Sequence, residues 1–123
     1  MFRLALQAQA RLSPEACSVA ELFLAALPPY LQPRIQSVRL FGPQARRFEP
    51  DSAFDILILA DERSPELRMA VAIGTSAVGA EGIYSANVTV TTPAEVTQPS
   101  PGVARLLQNA RREGIDLWSR SAP

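Results

Sequence analysis

Histidine and lysine are both absent from this 123-residue chain, and all twelve of its cations are arginine. Without histidine there is no Ser–His–Asp or Cys–His arrangement and no imidazole ligand for zinc. Without lysine there is no Schiff base and no phosphate-binding lysine of the P-loop kind. Cysteine is nearly absent too. Cys17 stands alone, so no intramolecular disulfide can form, and a cytoplasmic setting is the expectation. Near a helix start, Cys17 is expected to be a small buried apolar residue. No stretch is long and apolar enough to span a bilayer, and Gln7, Gln9 and Arg11 break the first segment as a signal peptide. Net charge is absent as well: twelve acidic residues balance the twelve arginines, so nothing global attracts nucleic acid or an anionic membrane.

What is present suits one domain over residues 1–123 with a modest core: 47% apolar and 20% charged residues. Residues 1–12 form an N-terminal extension whose apolar residues alternate as in a strand, although Leu, Gln and Ala favour helix. Ser13-Pro14-Glu15 and Ser64-Pro65-Glu66 are helix starts, with serine as N-cap and proline at the first helical position. Strands are expected at 37–41, at 54–60 as a nearly continuous apolar run, at 85–91, and briefly at 115–118. A last amphipathic helix follows Pro99-Ser100-Pro101-Gly102, with Gly114 placed to cap it. Arg105, Arg111 and Arg112 are expected on its wet face. Gly74 to Gly79 has P-loop glycine spacing, but Ala80 and Glu81 occupy the Lys and Ser/Thr positions, so that match is spurious. The order α-β-β-α-β-α-β predicts an α/β (α+β) fold: a small mixed sheet with helices packed on it.

Chemistry concentrates in residues 37–92. Leu40-Phe41-Gly42-Pro43-Gln44-Ala45-Arg46-Arg47, then Pro50-Asp51-Ser52-Ala53-Phe54-Asp55-Ile56-Leu57, resembles the signature of minimal nucleotidyltransferases of the DNA polymerase beta superfamily. There a strand ends L-F-G-S, x-A-R-G follows, and P-D-S-D-x-D enters the next strand. Downstream, Asn87 to Glu95 is similar to the family's third strand, and Gln108 to Trp118 to its closing helix. The resemblance implies two metals held by two Asp on one strand and a third on its neighbour, with the Gly-Ser turn at the triphosphate.

Against that pattern, Pro43 replaces serine, Arg47 replaces glycine, Ala53 replaces the first Asp, and Asn87 replaces the third carboxylate; Asp55 alone is kept. Asp51 lies on the order of 13 Å from Asp55 along an extended chain, too far to substitute. Gly42, Pro43, Arg46 and Arg47 are the candidate nucleotide contacts, with Glu49 and Asp51 as alternative partners for the arginines. Asp55 is the candidate catalytic or metal-binding residue, weak at best as a lone ligand, and its other reading is a relic bonded to backbone. The expectation is a binding or partner module with an incomplete metal site rather than an enzyme. The alternatives are nucleotidyl transfer from ATP with Mg²⁺ and a nucleotide sensor. The resemblance implies a HEPN-type helical partner; a homodimer through the N-terminal segment is the other arrangement.

Overall fold

The computed structural model describes residues 1–80 and 82–120, leaving Glu81 of the P-loop look-alike outside the described residues. Helix α1 (Leu6–Arg11) and helix α2 (Pro14–Ala25) precede a 3₁₀ helix (Pro29–Arg34) and strand β1 (Ile35–Phe41). A four-residue helix α3 (Pro43–Arg46), strand β2 (Phe54–Ala60), helix α4 (Pro65–Gly79) and strand β3 (Ala86–Thr91) follow. Two helices, α5 (Pro93–Thr97) and α6 (Pro101–Glu113), lead into strand β4 (Ile115–Ser119). The four strands make one mixed sheet, ordered β3-β2-β1-β4, in which only β2 and β3 are parallel.

The expected caps are in place. Ser13 accepts from the Ala16 amide and Ser64 from the Leu67 amide, and Ser100 does the same for Val103 at the start of α6. Strand alternation separates two faces. Val38, Leu40, Ile56 and Ile58 face inward with Phe23, Leu24 and Leu67 of α2 and α4, forming the main core. On the opposite face Phe41 and Leu57 pack with Ala110, Leu106 and Leu107 of α6, so β2 is covered on both faces, but only in part on this one.

Three local expectations change. Residues 6–11 are helical, and the segment before them docks on its own chain: the Ala5 amide donates to Leu117 O at 2.8 Å, and Phe2 meets Trp118 edge-on at 4.5 Å. It is therefore not a spare strand for a second copy. Cys17 is half-buried rather than buried, its thiol near the carbonyls of Gln9 and Leu12, and desolvation followed by the charge of Glu21 pushes its pKa up. Gly114 does end α6, but in extended conformation (φ −73°); glycine is needed because a Cβ there would lie 2.1 Å from Ala110 O and 2.5 Å from Arg39 Cδ. A glycine inside a helix implies either an early end or close packing; α4 runs through Gly74, and the packing is close, since a Cβ there would come within 2.9 Å of the Phe23 ring.

That last contact yields a test. Gly74→Ala gains about 1 kcal/mol of helix propensity. Overpacking a well-filled site costs typically about 1–3 kcal/mol. Phe23 is fully buried between helices and has little room to yield. The substitution should lower stability in urea denaturation by about 1 kcal/mol, where propensity alone predicts a gain.

Candidate functional site

The candidate residues gather at the start of β2, on the sheet face that α6 covers in part. In the strand register Asp55 lies between Phe41 of β1 and Asn87 of β3. The Asn87 amide Nδ2 donates to Asp55 Oδ1 at 3.4 Å. The other oxygen sits over the turn at the end of β1: a Cβ built on Gly42 would lie 2.5 Å from Asp55 Oδ2. Gly42 holds φ 76° and ψ −161°, a conformation that side-chain-bearing residues rarely adopt, and Pro43 then opens α3. Asp55 is half-buried, and desolvation raises its pKa; the Asn87 hydrogen bond opposes this and is the smaller influence.

Ala53 lies one residue before β2 and is half-buried, while Asp51 is exposed in the preceding turn. Arg46 and Arg47 are both exposed. Arg46 is engaged neither by Glu49 nor by Asp51: its Nη1 lies 2.8 Å from Glu113 Oε1, tying α3 to the end of α6. Arg47 makes no ion pair with any described residue. Among the described residues no three His, Cys, Asp or Glu side chains come together as a metal site would require.

Three side chains that sequence reasoning missed shape this region. Gln44 is buried (1% exposed), and its side chain meets three backbone groups. Nε2 donates to Glu49 O and Ser52 O, and Oε1 accepts from the Glu49 amide, so the loop between α3 and β2 is held internally. Arg39 links β1 to the end of α6 and to β4, donating to Ala110 O at 2.8 Å and to Asp116 Oδ1 at 2.9 Å. Arg105 of α6, with Asn109, walls an open cleft of about 310 Å³ whose floor includes Asp55, Asn87 and Thr89. A polar residue on an amphipathic helix gave no local sign of which strand it would face.

This arrangement of helices over a four-stranded mixed sheet is shared with solved structures. A chain from a mutant crystal structure of the toxin–antitoxin pair MntA-HpeT superposes with a TM-score of 0.54 at 18% identity, over 83% of this chain and 70% of its own. A second mutant of the same pair gives 0.52 at 18% identity, over 87% and 73%. A Shewanella oneidensis structure, described as a tri-AMPylated HEPN toxin in complex with MNT antitoxin, gives 0.50 at 18% identity, over 83% and 71%. The fold is nucleotidyltransferase-like. No protein-family model and no curated protein sequence matches the chain. Among the described residues, no helix is long and apolar enough to cross a membrane.

Within this nucleotidyltransferase-like fold the Asp55 carboxylate has an unusual electrostatic sign. Its pKa is raised on folding, so the charged form is disfavoured in the native state. The resulting penalty is full at pH above the raised folded value, shrinks as pH falls, and is gone below the unfolded value near 3.8. Asp55→Asn keeps an acceptor for Asn87 and removes the charge. It should raise the melting temperature at pH 7 by an amount worth under about 1 kcal/mol, since solvent still reaches the group. The gain should vanish near pH 3; a gain independent of pH would show that charge is not its source.

Proposed function

We propose that this chain is a non-catalytic nucleotidyltransferase-fold module that works by binding a partner protein, and that the partner is a HEPN-type helical protein. The observation that carries the first half is the Asn87–Asp55 hydrogen bond. Asn87 holds the register position where the resemblance expects a third carboxylate, and it turns an N–H donor toward the one carboxylate that is kept. Magnesium needs several hard oxygen ligands, most of them anionic or water, in near-octahedral array. A single Asp faced by an amide donor on one side and by the Gly42 backbone on the other does not fit that requirement, still less a pair of metals about 4 Å apart. Bound metals supply the positive charge that stabilises a nucleotidyl-transfer transition state, and these residues offer too few anionic oxygens to hold them.

The second half is supported by the neighbours, two of which are mutants of a toxin–antitoxin pair and one a HEPN toxin with its MNT antitoxin. A cytoplasmic location accords with one half-buried cysteine and no disulfide.

Calorimetry with millimolar ATP, with and without Mg²⁺, tests the catalytic half. No metal-dependent heat is expected, and no labelled nucleotide should pass to a helical protein co-purified from the native host. Metal-dependent binding that Asp55→Ala abolishes would overturn the reading in favour of a sensor, and transfer of label would do so in favour of an enzyme.

A further inference from the structure

Formal neutrality hides an uneven distribution of charge. Helix α6 carries Arg105, Arg111 and Arg112 and a single acid, Glu113, which lies inward and is engaged by Arg46 and Arg112. At 100° per residue, Arg105, Gln108, Asn109 and Arg112 fall on one stripe of the helix, opposite the buried Ala110. Arg105, Gln108 and Arg112 are exposed, and Arg112 donates to Asn109 Oδ1 at 3.2 Å. No acid stands on this stripe: Arg112 reaches round to Glu113 at 3.7 Å, while Arg105 pairs with no acid among the described residues.

Helix α6 is also a ridge between two hollows in the sheet face. On one side is the cleft at Asp55. On the other is a hollow of about 330 Å³ lined by Leu57, Leu59, Val96 and Leu107 together with Arg111 and the ion pair of Arg39 with Asp116, whose carboxylate is thereby already matched. An apolar seat flanked by Arg111, with Arg105 further round the helix and neither paired with an acid among the described residues, matches an amphipathic acidic segment: a leucine-sized side chain fills the seat, and carboxylates meet the guanidinium forks.

The geometry points to the outer face of α6 as a docking surface for an acidic, amphipathic helix of a partner protein. This rests on the module reading and adds the chemistry of the surface that binds. Nucleic acid is the poorer match. Exposed aromatic rings for stacking are lacking on α6, whose thirteen residues include no Phe, Tyr or Trp, and the chain has no net positive charge to attract phosphodiesters.

The test uses a labelled synthetic helical peptide with glutamates along one face and a leucine beside them, followed by fluorescence anisotropy. The wild-type chain should bind it, less tightly as salt rises. Arg105→Glu with Arg112→Glu should weaken binding at least about tenfold. Arg68→Glu, on the exposed surface of α4, should not. Leucine to alanine in the peptide should also weaken binding. Equal losses from Arg68→Glu, or a uridine oligonucleotide of the same charge binding as tightly, would overturn the proposal. So would concentration-dependent self-association abolished by the α6 variant, because a second copy would then be the occupant. A co-purified helical companion that stays bound to the α6 double variant would overturn this inference while leaving the module reading intact.

Discussion

Gly42→Ala is expected to destabilise the protein by roughly 3 kcal/mol or more, through two separable causes. The first is backbone strain. At φ 76° and ψ −161° the residue occupies a region open essentially to glycine, and forcing a Cβ into it costs on the order of 1–3 kcal/mol. The second is collision: the new methyl would sit 2.5 Å from Asp55 Oδ2, well inside contact distance. Asp55 can swing toward the open cleft only by giving up the 3.4 Å hydrogen bond from Asn87, so relief of the collision carries its own cost. A domain of this size has only about 5–15 kcal/mol of net stability, so a loss of that size should be plain in urea denaturation. The double variant with Asp55→Ala separates the causes. It should recover the collision and leave the strain, giving a coupling of at least about 1 kcal/mol in the cycle. A loss below about 1 kcal/mol in the single variant would mean that the turn does not have this conformation.

That turn marks how far sequence reasoning reaches. Element types were legible because their causes are local. Serine caps before Ser13-Pro14 and Ser64-Pro65 appear as expected, and the apolar run at Phe54 to Ala60 is the strand beside both β1 and β3. The positions of Gly42, Asp55 and Asn87 in one cluster were legible too, through the order of the motif rather than through any pattern of burial. Long-range pairing was not legible. Arg39 reaches Asp116 across 77 positions, and Arg46 reaches Glu113 from the end of α3, although Glu49 and Asp51 are nearer in sequence. Gln44 carries no local sign of its burial, because nothing near it in the sequence says that three loop backbone groups will close around it. A polar residue is buried only when its partners arrive, and those partners come from the folded loop.

Restoring three of the four departures from the family pattern together, Pro43→Ser, Ala53→Asp and Asn87→Asp, should make stability depend on magnesium. Without metal, a carboxylate at position 87 would stand within a few ångströms of Asp55 instead of donating to it, since the present pair lies at 3.4 Å. Two like charges that close raise each other's pKa and oppose the native state at neutral pH. The variant should therefore melt lower than wild type at pH 7, with the difference shrinking as pH falls through the carboxylate range. Magnesium binds the native cluster and not the unfolded chain, so it should reverse the loss; at a hundredfold excess over Kd the stabilisation is about 2.7 kcal/mol. Asp55→Ala in the same background should abolish the response, which separates a built site from general screening by a divalent salt. Strand alternation continued one residue before β2 would carry position 53 to the face of Asp55, and Asn87→Asp alone should then respond to magnesium more weakly than the triple variant. If the triple variant ignores magnesium, position 53 does not share the face of Asp55. The alignment of this cleft with a two-metal site would then fail, even though the fold would stand.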